Sequence, residues 1–104
     1  MIKALVNNSW KLFDIDELQP GTSVFNFEKG LYETVRTRDH RPILLKPHLD
    51  RLFNSAKSTN LKPPFHRKKV ESMIMQVIES SPHPDQRVRV LLVPNKVIIY
   101  TMPL

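Results

Sequence analysis

Gly30-Leu31-Tyr32-Glu33-Thr34-Val35-Arg36-Thr37, followed at a short interval by Pro47-His48-Leu49-Asp50-Arg51-Leu52, decides how this 104-residue chain folds. The first stretch alternates as a strand does. Tyr32, Thr34 and Arg36 point one way; Leu31, Glu33, Val35 and Thr37 point the other. Arg38-Asp39-His40-Arg41 reads as a polar hairpin turn, and Pro42 to Leu45 as the returning strand, with Pro42 at its start where a missing donor does least harm. Pro47 suits a first helical position. From there Leu49, Leu52, Phe53 and Ala56 keep the i, i+3, i+4, i+7 spacing of one helix face. A tyrosine and an arginine thus share a strand face, and a second arginine lies in the next helix. Arginines converging from neighbouring elements suit an anion, because guanidinium groups fork onto phosphate and carboxylate.

Working outward, Ala4–Val6 and Trp10–Phe13 read as short strands around Asn7-Asn8-Ser9. Residues 14–22 carry Pro20-Gly21 and read as a loop; residues 23–29 are ambiguous. Pro63-Pro64 blocks continuation of the first helix. A second helix spans Arg67 to Glu79, with Val70, Met73, Ile74, Val77 and Ile78 on its buried face. Arg87 to Val93 and Val97 to Met102 are strands joined at Pro94-Asn95-Lys96. The order predicts a single α+β domain over residues 1–104, an antiparallel sheet with two helices packed on one side.

Composition narrows the function classes. Hydrophobic residues at 40% and charged residues at 25% are globular rather than disordered usage. No apolar run approaches the roughly 20 residues of a membrane span, and Asn7, Asn8 and Ser9 interrupt any signal-peptide pattern. Cysteine is absent, which excludes disulfides and thiolate metal sites and suits a cytoplasmic protein. The net charge of +6 favours acidic partners, but the cations are scattered and no nucleic-acid motif accompanies them. His66-Arg67-Lys68-Lys69 reads as a solvated entry to the second helix. His40, His48, His66 and His83 lack metal-ligand spacing, so no metal is assigned. Trp10 and the methionines read as packing.

Gly30 to Arg36, with His48-Leu49-Asp50-Arg51-Leu52 and Ser55-Ala56, resembles the small N-terminal domain of the fold-type IV (class IV) pyridoxal-phosphate enzymes. These include the branched-chain and D-amino-acid aminotransferases and aminodeoxychorismate lyase. The resemblance implies that Arg51 binds the phosphate of pyridoxal 5'-phosphate. It implies that Tyr32, Thr34 and Arg36 face the substrate pocket, and that Arg87 and Arg89 join them from a later strand. Their spacing of two independently puts Arg87 and Arg89 on one face. Each residue also has a plain structural reading: Arg51 as a helix-surface cation, Tyr32 as a strand aromatic, Arg36 as partner of a cross-strand acid, Arg87 and Arg89 as an exposed sheet face.

The family's Schiff-base lysine lies in a second, larger domain, beyond the end of this chain. No lysine here replaces it: Lys96 falls in a turn, and Lys68 and Lys69 at a solvated helix start. The chain alone is therefore expected to have no catalytic residue, to be inert, and to need a lysine-bearing partner domain before it holds the cofactor. Many members carry Gly-Asp-Gly where this chain reads Glu28-Lys29-Gly30. The short Pro94-Asn95-Lys96 loop disfavours a D-amino-acid enzyme. The resemblance implies transamination between an amino acid and a 2-oxo acid, branched-chain type favoured, in a homodimer. Aminodeoxychorismate lyase is the near alternative; a non-catalytic interaction domain or a basic nucleic-acid-binding module is the alternative from another class.

Overall fold

A computed structural model describes residues 1–18 and 30–104. The end of the loop read at 14–22, the ambiguous residues 23–29 and the Glu28-Lys29 departure lie outside the described residues. Among the described residues, six antiparallel strands form one sheet in the order β2-β1-β6-β5-β3-β4. They are β1 (Ile2–Val6), β2 (Ser9–Phe13), β3 (Leu31–Arg38), β4 (Arg41–Pro42), β5 (Gln86–Val93) and β6 (Lys96–Pro103). Helices α1 (Leu45–Ser58) and α2 (Arg67–Glu79) connect β4 to β5. The expected α+β architecture is what forms.

The turns follow from residues that tolerate a left-handed backbone. Asn7 and Asn8 (φ 46° and 72°) join β1 to β2, and Asp39 and His40 (φ 51° and 62°) join β3 to β4. Two positive φ values in a row define the tight hairpin turn that matches strand twist. Asn95 (φ 65°) follows Pro94 between β5 and β6. Asn7 ties two of these turns together: its Nδ2 donates to the Asn95 carbonyl at 3.0 Å and its Oδ1 accepts from Val97 N–H at 2.9 Å. At the opposite end, Gln86 is fully buried yet satisfied, donating to the Ile78 and His83 carbonyls and accepting from Thr101 Oγ1.

Sequence periodicity places α2 within the residues the structure gives it. The α1 boundary differs. The predicted strand Pro42–Leu45 shrinks to the pair Arg41–Pro42, and the helix starts at Leu45, two residues before Pro47. Leu44 makes the change of direction in a left-handed conformation (φ 56°) without a side-chain cap. Pro47 still falls within the first turn, where a missing N–H loses no helical bond. The far end is closed by Asn60 (φ 58°), with Leu61 N–H donating to the Ala56 carbonyl and Asn60 N–H to that of Lys57. That is a Schellman closure with asparagine in the position glycine usually takes. The loop expected from Asp14 begins instead with a 3-10 turn, Ile15–Leu18, that buries Leu18.

Leu49, Leu52 and Ala56 of α1 and the five predicted residues of α2 pack on the row formed by Leu5, Val35, Val88, Val90, Leu92, Val97 and Ile99. The other sheet face also carries an apolar cluster at its β1–β6–β5 end, around Leu18, Leu91, Ile98 and Tyr100. Both helices lie on one face as predicted. No helix among the described residues is long and apolar enough to cross a membrane. Arg67, expected in a solvated segment, instead bridges the helices: it pairs with Asp50 and Glu71 and donates to the Lys46 carbonyl at 3.1 Å. Lys46 also donates to Asp50 at 3.0 Å, and these two cations hold the Asp50 carboxyl below its ordinary range.

Leu49 is fully buried between α1 and β3. Leu49→Ala is expected to destabilise the domain by about 2–5 kcal/mol. For a fold of this size that approaches the whole margin, and urea unfolding followed by circular dichroism measures it.

Candidate functional site

The pairing of β3 with β5 assembles the cations. Thr34 lies opposite Arg89, and Arg36 opposite Arg87. With Tyr32 these residues occupy the sheet face away from the helices. Arg36 is exposed; Thr34, Arg87 and Arg89 are half-buried. Like charges directly opposite one another weaken a strand pair. Yet neither Arg36 nor Arg87 makes an ion pair with any described residue. The expected cross-strand acid for Arg36 is therefore not among them; its partner across the ladder is another arginine. The Arg89 guanidinium lies 5.6 Å from the Tyr32 ring centroid, within cation–π range. Its Nε is buried with no hydrogen-bond partner among the described residues.

Among the described residues, the β4 ladder covers β3 at Thr37 and Arg38, and Ile43 N–H donates to the Arg36 carbonyl at 2.8 Å just beyond it. A groove of about 430 Å³ lies beside this edge of β3, lined by Thr34, Arg36, Ile43, Leu44, His48 and Arg87. Cations form one part of the wall and the exposed apolar pair Ile43 and Leu44 another.

Arg51 belongs to a different arrangement from the one the sequence suggested. It reaches Glu33, on the helix-facing row of β3, and not the sheet face of Tyr32 and Arg36. Its Nε donates to Glu33 Oε2 at 2.8 Å and its Nη2 to Oε1 at 2.6 Å. His48, one helical turn earlier, places Nδ1 2.7 Å from the same Oε1. A carboxylate can only accept, so His48 Nδ1 carries the proton in this pair. The Arg51 Nη2–His48 Nδ1 approach of 3.4 Å is then a contact between donors. Glu33 is buried, at 8% exposure, whereas the Arg51 side chain is 66% exposed. Arg51 Nη1 makes no hydrogen bond among the described residues.

The sequence residues thus divide into two groups, one on either side of the β3 edge. Tyr32, Thr34, Arg36, Arg87 and Arg89 are together on the sheet face, and Arg51 stands with Glu33 and His48 on the helix side. His48 belongs to both, since it also lines the groove. Sequence reading missed the roles of Glu33 and His48. The signal was present: a lone acid between Leu31 and Val35 on the inward strand row, and a histidine three residues before Arg51 on the same helix face.

Burial alone would push the Glu33 carboxyl up. Hydrogen bonds and charge from Arg51 and His48 outweigh it and hold the group below the ordinary carboxylate range. Glu33 in turn raises the Arg51 guanidinium above its usual value. A carboxyl depressed in the folded state stabilises the fold above its unfolded value, about 4.3, and that contribution fades as pH falls through the lower folded value. Urea unfolding from pH 7 to pH 3 is expected to show stability falling with acid in this window, with a shallower fall in Glu33→Gln. An unchanged acid slope in the variant contradicts the coupling.

The sequence model of the family described as amino-transferase class IV matches residues 30–98. A Methanocaldococcus jannaschii protein provisionally named a branched-chain-amino-acid aminotransferase is 27% identical over 82 residues, which cover 75% of this chain and 28% of that protein. The Escherichia coli branched-chain amino acid aminotransferase superposes with TM-score 0.76 at 16% identity, over 99% of this chain and 40% of that one. The branched-chain aminotransferase of Thermoproteus uzoniensis, in a structure with norvaline, superposes at 0.74 with 18% identity, over 99% and 41%. A structure provisionally described as a 4-amino-4-deoxychorismate lyase superposes at 0.64 with 23% identity, over 74% and 32%. At such identities the structural likeness is one of fold. This chain spans less than a third of the curated relative and about two-fifths of the aminotransferase structures. The family match begins at Gly30, takes in the Tyr32–Arg36 strand, Arg51 and the Arg87–Arg89 strand, and runs into β6: the chain belongs to the class IV aminotransferases.

Proposed function

We propose that this chain is the small domain of a pyridoxal-phosphate-dependent aminotransferase. It would act with a lysine-bearing second domain on amino acids and 2-oxo acids, branched-chain type favoured. The observation that carries this reading is the division of cations about β3. Arg51 stands with its fork held and a further nitrogen uncommitted. The arginines of β3 and β5 stand apart, beside a partly apolar groove.

The donor set suits the cofactor. A dianionic phosphate leaves water only for charge-assisted hydrogen bonds, and Arg51 offers them from a largely exposed guanidinium. When bound, pyridoxal phosphate supplies an electron sink for reactions at the amino acid's Cα. This chain's residues do the positioning. Arg51 holds the phosphate end. Arg89 and Arg36 neutralise and orient a substrate carboxylate, with Arg87 adding positive potential and Thr34 a hydroxyl between them. Tyr32 keeps Arg89 in place through its ring. Ile43 and Leu44 give an apolar substrate side chain a surface to cover, which favours the branched-chain assignment over more polar substrates. We assign the remaining chemistry, including the covalent lysine, to the second domain. The complete enzyme is taken to be a cytoplasmic homodimer.

The lyase reading shares the fold and the phosphate site. It differs in its substrate and is separated by assay: amino-group transfer to a 2-oxo acid supports the aminotransferase, and pyruvate release from aminodeoxychorismate supports the lyase.

The test joins this chain to the family's lysine-bearing domain and follows cofactor absorbance. Arg51→Ala is expected to weaken pyridoxal-phosphate binding by about 10- to 100-fold, the loss of a charged hydrogen-bond partner. Arg89→Ala is expected to raise KM for the amino acid while leaving cofactor affinity within about twofold, since no phosphate contact is assigned to it. Equal cofactor affinity in Arg51→Ala removes that residue from the site.

A further inference from the structure

Glu33 occupies a position that fold stability alone does not favour. It lies on the β3 row that faces the helices, between Leu31 and Val35 and beneath α1, and it is buried. A carboxylate there loses its water, and a buried ion pair is commonly no more stable than apolar residues of similar volume. Three hydrogen bonds from α1 offset the loss, two from Arg51 and one from His48. All of them converge on the carboxylate that holds the arginine one helical turn beyond His48.

Long arginine side chains on a helix surface sample many rotamers, and a ligand that binds one must first order it. Here the carboxylate has already done so. The two parallel bonds fix the guanidinium plane, as a fork on a fork does. They engage Nε and Nη2 and leave Nη1 as the edge without a partner among the described residues. His48 fixes the carboxylate in turn, by binding the oxygen that accepts from Arg51 Nη2.

We infer that Glu33 is a positioning residue for phosphate binding, with His48 as its support. It preorganises Arg51 so that Nη1 meets the anion. This rests on the assignment of Arg51 to the cofactor phosphate and adds the residue that makes that arginine effective. The expected effect is opposite in sign to simple electrostatics. Glu33 is an anion beside an anion site, so removing its charge should tighten phosphate binding if charge alone mattered. If orientation matters more, removing it weakens binding.

The experiment titrates inorganic phosphate into this chain joined to the family's lysine-bearing domain and follows the backbone amide resonances of α1. Glu33→Gln, which adds net positive charge but cannot accept both Arg51 bonds, is expected to weaken phosphate about fivefold or more. Arg51→Lys, which keeps the charge and loses the fork, is expected to weaken it similarly. In the double variant Glu33→Gln is expected to add no further loss, because there is no fork left to orient. A merely structural Glu33 gives additive losses instead, and that result overturns the inference. So does unchanged or tighter binding in Glu33→Gln. Should Glu33→Gln fail to fold, Arg51→Lys alone decides, and wild-type affinity there overturns it. Wild-type affinity in Arg51→Ala, or no saturable shift in the joined wild-type protein, fails at the earlier step and removes Arg51 itself from the phosphate site.

Discussion

Everything in this domain turns on the alternation of β3 against β5. A strand sends consecutive side chains to opposite faces, and the pairing Thr34 to Arg89 and Arg36 to Arg87 fixes which residue goes where. A slip of one residue would place Arg36 in the helix-packed core and Val35 on the open face. In the observed register the strand carries two kinds of chemistry back to back. One face presents arginines without anionic partners among the described residues. The other buries a single carboxylate and draws an arginine and a histidine down from α1 to meet it.

Those two faces divide the electrostatic work. On the sheet face Arg36 and Arg87 stand directly opposite one another, a like-charge pairing that a bound anion would relieve. The Glu33 cluster is nearly complete by itself, so its cation is held rather than searching. Between them, β4 spans only Arg41–Pro42, and the groove reaches from Arg36 to His48. The family match places this chain among the class IV aminotransferases. The division into a phosphate end and a carboxylate end is our reading of what it is for.

Much of this was legible in the sequence, for physical reasons that differ by element. The period of Val70, Met73, Ile74, Val77 and Ile78 leaves a helix no other face to bury, so α2 follows directly. The α1 entry was obscured. Pro42-Ile43-Leu44-Leu45 has strand composition, and nothing in it announces that Leu44 takes a left-handed turn without a cap. Alternation separated Tyr32 and Arg36 from Glu33, but it could not say which of the two rows Arg51 would join. That depends on the rotation of α1 over the sheet, set by the packing of Leu49 and Leu52 into the core. The Glu33–Arg51 pair joins two different elements, and such contacts leave only a faint trace in a single sequence.

The most direct measurement follows the side-chain Nε–Hε resonances of this chain's arginines as pyridoxamine 5'-phosphate is added to the chain joined to the family's lysine-bearing domain. This ligand carries the phosphate without an aldehyde that would label surface lysines. The phosphate is expected to shift Arg51, with Arg36, Arg87 and Arg89 little changed. Saturable shifts at the three sheet-face arginines, with Arg51 unmoved, would contradict the assignment of the phosphate end to Arg51.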